Sequence, residues 1–451
     1  MKVGFVHLGC SKNLIDTEAT IGIFKKHEFE IINDATKADI IVINTCGFID
    51  SAKEEAINTI LEMAEYKKYK CQYLIVMGCL VQRYYEDLIK ALPEVDLFIK
   101  IDEYDKLWNK IEELIKKNII LKSKNKISKK ISDIPKMPML TQEEFLGRTI
   151  TTGKNYAYLK IGEGCSNKCT YCAIPYIRGP FVSRRKEDII EEAKKLAKQG
   201  IKELIIIAQD TTKYGIDLYG EPKLAKLLKE LCKIDGIKWI RFLYSYPETI
   251  TDELIKVVKE EPKICKYFDI PIQHIANPVL KRMNRKSNGE SIRKLIKNLR
   301  KQIPNVIIRT TVMVGFPGET QNDFEELYNF LKEAKFDKLG AFMYSKEEGT
   351  GAATMPNQVH HLTKKSRYNK IMSLQQEISK HNLKSKIGTV QKVRIDGITK
   401  NQQFYVGRTY MDVPEIDGWV YVKNNKCLNI GDWIECKIEE VKEYDLFAKI
   451  I

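Results

Sequence analysis

Residues 156–175 read "YAYLKIGEGCSNKCTYCAIP". The first six are an apolar run that predicts a buried strand. Three cysteines follow, Cys165, Cys169 and Cys172, at spacing C-x3-C-x2-C, which puts them on a loop at the strand's carboxyl end. Outward from this stretch the same rhythm repeats. Candidate strands at 156–161, 203–207, 238–243, 267–270, 305–313 and 338–343 alternate with helical patterns such as 186–199 and 321–335. Six β/α units predict a partial or complete TIM-type barrel over 151–383, with its active-site loops at the carboxyl ends of the strands.

Three thiolates on one loop can hold three irons of a four-iron cluster and leave the fourth iron open to a small molecule. Structural zinc is the competing reading, but it takes four closed ligands. Only the distant His274 or Cys265 could complete such a set. The chain's eleven cysteines accompany no secretion signal, since "MKVGFVHLGC" lacks a long apolar core and a cleavage site, and no eighteen-residue apolar stretch follows. The expected location is cytoplasmic, without membrane contact. There, clustered thiols point to metal binding or catalysis rather than disulfides.

Residues 1–115 predict an α/β domain with a parallel sheet. Apolar strands at 2–8, 38–45 and 72–77 alternate with helices at 51–66 and 81–92, and Ser51 and Glu54 have capping-box spacing. Cys10, Cys46 and Cys79 each stand just after one of these strands, where a parallel sheet gathers its ligand-binding loops along one edge. They form a second candidate cluster site; the alternative is three packing cysteines. Cys71, Cys232, Cys265, Cys427 and Cys436 show no such arrangement.

The net charge of +15 suits acidic partners such as RNA or ribosomes, or merely a lysine-rich solvated surface. It is unevenly placed. Residues 116–148 carry nine Lys/Arg against three Asp/Glu and little periodicity, so 116–150 reads as a basic linker with a possible ribosome or RNA contact. Residues 384–451 carry eleven Lys/Arg against ten Asp/Glu and a series of short β-runs, a small OB-like barrel.

The motif C-x3-C-x2-C with Tyr171 before the last cysteine resembles the radical S-adenosylmethionine enzymes. That resemblance implies that the open iron chelates the cofactor's methionine group. One electron then releases a 5′-deoxyadenosyl radical, which abstracts hydrogen from an unactivated carbon. The loop "IIIAQDTTKYG", with Gln209, Asp210 and Thr211, fits as a cofactor-binding segment. So does "VMVGFPGET", with Gly315, Pro317, Gly318 and Glu319. Glycines there allow close backbone approach, and the next helix N-terminus favours a carboxylate. Ordinary strand-to-helix turns are the competing reading for both.

"LGCSKNLIDTE", "NTCGFIDSAKEEA" and "MGC" ahead of that core, with the β-rich tail, resemble the methylthiotransferases, whose tail is a TRAM domain. The resemblance implies two 4Fe-4S clusters, one on Cys10, Cys46 and Cys79 to deliver sulfur and one on Cys165, Cys169 and Cys172 to generate the radical. S-adenosylmethionine would serve as both methyl donor and radical source, alongside a sulfur donor and an electron donor. Within the family, "CGFIDSAKEEA", "RFLYSYPETIT", "PIQHIANPVLKRMNR" and "DVPEIDGWVYV" are similar to the enzymes that modify an aspartate β-carbon of small-subunit ribosomal protein twelve. The alternative is a tRNA (isopentenyl)adenosine methylthiotransferase; more remote is a non-catalytic iron–sulfur RNA-binding or assembly factor. A near-neutral tail with acidic loops at Asp412, Glu415 and Asp417 suits a basic ribosomal protein better than a phosphate backbone.

Overall fold

The computed structural model describes residues 1–117, 140–153, 155–424 and 426–451. The first unit runs β1 (Lys2–His7), α1 (Ser11–Lys26), β2 (Glu30–Ile32), β3 (Ile40–Thr45), α2 (Asp50–Ala64), β4 (Tyr73–Gly78), α3 (Cys79–Ala91), β5 (Leu97–Ile99) and α4 (Leu107–Lys117). Its sheet has the order β2-β1-β3-β4-β5 and every pairing is parallel. The strands are near-continuous apolar runs because helices cover both faces. β1, β3 and β4, whose ends carry the three N-terminal cysteines, are neighbours.

The expected capping box at Ser51 does not form. α2 starts earlier, its N-cap is Ile49, and no side chain caps it. The helix start is set instead by the chain leaving the Cys46 loop. Most of the basic stretch 116–148 lies outside the described residues. Its end does not hang free: α5 (Gln142–Gly147), capped by Thr141 and Glu144, packs on α1. The approach is so close that a Cβ on Gly22 would stand 2.3 Å from the Gly147 carbonyl oxygen.

The central unit contains all six expected strands. In chain order it runs β6 (Ala157–Lys160), β7 (Gly162–Glu163), α6 (Ile174–Arg178), β8 (Val182–Ser183), α7 (Lys186–Lys198), β9 (Glu203–Ile207), α8 (Ile216–Tyr219), α9 (Leu224–Cys232), β10 (Trp239–Phe242), α10 (Asp252–Glu260), β11 (Tyr267–Asp269), α11 (Asn277–Arg282), α12 (Gly289–Gln302), β12 (Ile307–Val314), α13 (Gln321–Ala334), β13 (Lys338–Met343) and α14 (His361–Lys384). Parallel triplets β10-β9-β6 and β11-β12-β13 meet through a parallel bridge from Ile240 to Ile264. The result is a six-strand partial barrel. β7 and β8 form a short ribbon beside its first strand.

The tail, β14 (Val390–Ile398), β15 (Phe404–Arg408), β16 (Val420–Lys423), β17 (Trp433–Val441) and β18 (Leu446–Ile450), closes into a barrel of order β14-β15-β16-β18-β17. It seats against the amino ends of the central strands. Trp433 packs edge-on to Trp239 at 4.4 Å between centroids. One apolar cluster runs from Ile15 of α1 through Ile205 and Tyr267 to Val393 and Val420 of the tail.

Three of the tail's acids make contacts at this seam. Asp412 pairs with Lys338 at 2.9 Å, Asp417 accepts from the Tyr267 hydroxyl at 2.8 Å, and Glu415 accepts from Tyr156 at 3.0 Å. The Asp412 and Asp417 side chains are buried fold contacts, whereas Glu415 bonds to Tyr156 but stays exposed. Among the described residues, no helix is long and apolar enough to cross a membrane.

The seam's strongest clamp is Glu203, fully buried between Arg241 at 2.9 Å and Arg408 at 2.9 Å, with Arg394 at 3.7 Å. Burial alone would raise its pKa, but Arg408 and Arg241 hold it at about 2, below the ordinary 4.5. Replacing it with Gln strands buried arginines and should cost about 3–5 kcal/mol. A carboxylate with a depressed folded pKa stabilises above its unfolded value and loses that contribution as pH falls toward 2. The stability gap between wild type and Glu203→Gln, read by chemical denaturation, should therefore be full at pH 7 and narrow below about pH 4.5.

Candidate active site

α1 begins immediately after Cys10, and its first turn ties the N-terminal loops together. The Asn13 amide donates to the Thr45 carbonyl at 2.9 Å, next to Cys46, and the Cys79 thiol donates to Asn13 Oδ1 at 3.4 Å. The Asn44 amide returns a bond to the Asn13 carbonyl at 2.9 Å. Gly9 and Gly78 take φ of +98° and +104°, conformations that side chains resist. A Cβ on Gly9 would stand 2.8 Å from Cys46 Cβ. Cys10, Cys46 and Cys79 thus converge at the edge of the sheet, Cys10 exposed and Cys79 buried.

The second triad is pinned from both sides. Asn167 donates to Asp210 at 2.8 Å and the Thr170 hydroxyl to the Arg282 carbonyl at 2.8 Å. The Tyr246 hydroxyl lies 3.5 Å from Cys169 Sγ. Gly164, at φ +73°, crosses so near that a Cβ would sit 2.2 Å from the Pro180 carbonyl oxygen.

A buried quartet of charges joins the triads. Asp16 of α1 accepts from Lys160 of β6 at 2.5 Å and from Arg178 of α6 at 2.7 Å, and Glu163 accepts from the same cations at 2.9 and 3.2 Å. The other arm of the Arg178 guanidinium reaches Asn13 Oδ1 and lies 3.5 Å from Cys79 Sγ. Burial alone would raise Glu163, but Lys160 and Arg178 hold it well below the ordinary carboxylate range. Two anions and two cations balance. None of Asn13, Asp16, Lys160, Glu163 or Arg178 was singled out from the sequence. Asn13, Asp16, Thr17 and Thr20 recur at helical spacing, but that pattern also describes a solvated helix face.

The N-terminal unit touches the far side of the mouth as well. Glu347, beyond β13, pairs with Lys53 at 3.1 Å and with Arg83 at 3.0 Å, and Arg83 also donates to the Gly47 carbonyl at 3.0 Å. The parallel sheet is therefore locked over the carboxyl ends of the barrel strands.

The expected cofactor loops resolve unevenly. Tyr171 packs edge-on to Phe316 at 6.4 Å between centroids. The Gln209 amide donates to Glu163 at 2.6 Å, while its buried carbonyl oxygen has no protein partner. Asp210 is occupied by Asn167. In "GFPGE", Gly315 and Gly318 have φ of +72° and +75°, and protein fills the space beside them: Lys364 carbons against Gly315, the Arg282 guanidinium against Gly318. Glu319 turns back to accept from the amides of Gly315 and Phe316 and pairs with Arg367 at 3.1 Å. Burial raises it to about 7 against that arginine. The N-terminus of α13 carries a capping box between Thr320 and Asp323.

The donor sets fit iron clusters. Burial raises Cys79 to about 12 and Cys165 to about 11, and facing thiols push the same way: Cys10 and Cys46 on Cys79, Cys169 on Cys165. Cationic irons would reverse that penalty. Among the described residues no three ligands close on a single ion, whereas a multi-iron cluster gives each thiolate its own iron. The zinc completions fail. His274 is buried with Nδ1 accepting from the Ala276 amide at 3.0 Å and Nε2 facing Glu319 at 4.0 Å rather than a cysteine, and Cys265 sits at the opposite end of the barrel, before β11.

Three family models match the chain: the radical SAM superfamily over residues 159–331, the uncharacterized protein family UPF0004 over 2–100, and the TRAM domain over 387–451. The chain is 59% identical to the ribosomal protein uS12 methylthiotransferase RimO of Alkaliphilus oremlandii, covering 100% of this chain and 99% of that one. It is 48% identical to the same-named protein of Acetivibrio thermocellus, over 100% and 98%. In fold it is similar to the radical S-adenosylmethionine methyltransferase TsrM from Kitasatospora setae, solved with cobalamin and a 4Fe-4S cluster bound. That likeness has a TM-score of 0.53 at 12% identity over 76% of this chain and 74% of that one. The cobalamin-dependent radical enzyme OxsB matches at 0.52, with 14% identity over 84% and 56%.

The quartet should act as one unit. Arg178→Met leaves two buried carboxylates facing one cation and should cost about 3–5 kcal/mol. The double variant Asp16→Asn/Arg178→Met should lose clearly less than the sum of the single losses in denaturant unfolding.

Proposed function

The chain belongs to the ribosomal protein uS12 methylthiotransferases, and from that premise we propose that its two cysteine triads cooperate at one mouth to place a methylthio group on an aspartate β-carbon of uS12. The observation that carries this reading is the joining of the triads: one buried guanidinium reaches both the Cys79 thiol and the Glu163 carboxylate, two residues before Cys165.

Cys10, Cys46 and Cys79 hold one 4Fe-4S cluster, and Cys165, Cys169 and Cys172 the other. When bound, the cofactors supply one-electron cleavage of S-adenosylmethionine at the second triad and an iron able to carry sulfur at the first. The protein's part is positional. Asn167 and Thr170 hold the radical-generating loop across the mouth. Asn13 and Asn44 hold the sulfur-delivering loops. The sheet held by Lys53 and Arg83 covers part of the mouth. Tyr171 and the open carbonyl of Gln209 line the cofactor's place, whereas Gly315, Gly318 and Glu319 act by shaping the loop rather than touching it.

The uS12 substrate rests on kinship over the whole chain. The acidic loop residues do not carry it, because Asp412, Glu415 and Asp417 are engaged with the barrel. A modifier of a ribosomal protein works where ribosomes are assembled, and we assign it to the cytoplasm.

Anaerobically reconstituted enzyme offered uS12 and bulk tRNA together should add a methylthio mass to a uS12 aspartyl peptide and leave tRNA nucleosides unchanged. Replacing either triad with alanines should remove about four irons per chain. Cys169→Ala should abolish S-adenosylmethionine cleavage to 5′-deoxyadenosine. Cys46→Ala should keep cleavage but lose methylthio transfer. A methylthio group on adenosine with untouched protein would sink the assignment.

A further inference from the structure

Lys12 stands apart from the molecule's other buried cations. It is 7% exposed, and its ammonium lies 3.0 Å from the centroid of the Tyr244 ring. The other buried Lys and Arg side chains among the described residues meet carboxylates, as Arg148 meets Glu18, Lys160 meets Asp16 and Arg285 approaches Glu248. Among the described residues Lys12 has neither an ion pair nor a hydrogen bond, and the neighbouring Ser11 hydroxyl has no partner. One aromatic face offsets only part of the cost of burying an ammonium. No carboxylate of the described residues pairs with the ammonium, which leaves it available to an anion.

Its position says which anion fits. Lys12 is two residues from Cys10. Tyr244 is two residues before Tyr246, whose hydroxyl lies 3.5 Å from Cys169 Sγ. The Lys12–Tyr244 contact thus joins the loop that carries one triad to a loop that flanks the other, across the gap between them. A carbon that loses hydrogen to one side and gains sulfur from the other must lie in that gap. In an aspartate attacked at Cβ, the carboxylate is one bond from the reacting carbon.

Resting on the uS12 reading, we propose that Lys12 Nζ binds the carboxylate of the target aspartate and selects aspartate over asparagine at the reacting position. Charge-assisted hydrogen bonding to a buried ammonium rewards the anion, and the neutral amide leaves the ammonium poorly matched.

The test uses reconstituted holoenzyme, wild type, Lys12→Met and Lys12→Arg. Each is titrated with uS12 and with uS12 whose target aspartate is changed to asparagine, and iron per chain is measured alongside. Wild type should bind the aspartyl form roughly ten- to hundredfold more tightly. Lys12→Met should bind both forms alike with full iron content, and Lys12→Arg should restore part of the preference. Equal binding by wild type, an unchanged preference in Lys12→Met, or loss of iron from that variant would each overturn the proposal, the last by making Lys12 a support for the cluster. Wild type that binds neither form would overturn the uS12 reading itself, and it would do so before any variant is compared.

Discussion

Four buried charges, Asp16, Lys160, Glu163 and Arg178, hold this molecule's two halves in register. Each would be costly alone in a low-dielectric interior, and any one removed leaves its neighbours unmatched. The quartet therefore tolerates little change in the relative position of α1 and β6. Position is what it protects, since Cys79 hangs on one arm of Arg178 and the chain entering Cys165 begins at Glu163. On the proposed function, one site removes hydrogen from the carbon to which the other delivers sulfur, and the two cannot drift apart by even an ångström or so without a large loss of rate. A charged lock gives directionality that apolar packing, which slides more readily, does not.

The opposite end of the barrel uses the same device for a different purpose. Glu203 gathers arginines from the barrel and the tail, while Asp412, Glu415 and Asp417 bond to the barrel's amino-end residues. The tail is thereby a fixed lid on the barrel foot. Its near-neutral count of charges hides how those charges are used. Asp412 and Asp417 look available in the sequence but are paired within the fold, so net charge alone misstates what the surface presents.

Features with a local pattern were legible in the sequence. The six barrel strands are short apolar runs between helical periods. The grouping of Cys165, Cys169 and Cys172 follows from spacing, and the convergence of Cys10, Cys46 and Cys79 from each standing after a strand, because a parallel sheet brings those ends together. The tail's closed barrel followed from its turns. Features that depend on what lies across the interface were not legible. Asp16 reads as a solvated helix residue until β6 is seen beneath it. Arg178 sits in a five-residue helix with no periodicity to mark it. The Ser51 box had the right spacing but the wrong helix start, and the "GFPGE" glycines fit a ligand turn equally well as the packing of Lys364 and Arg282. Lys12 looked like any lysine of a basic chain, and only its burial without an anion distinguishes it.

Iron-edge anomalous diffraction from crystals of the anaerobically reconstituted protein tests the central claim most directly. Two iron peaks should appear, one against Cys10, Cys46 and Cys79 and one against Cys165, Cys169 and Cys172. They should face each other across the mouth holding Lys12 and Tyr244, with Arg178 still bridging Asp16 and Glu163. A single peak, or a fourth protein ligand closing either cluster, would contradict the account.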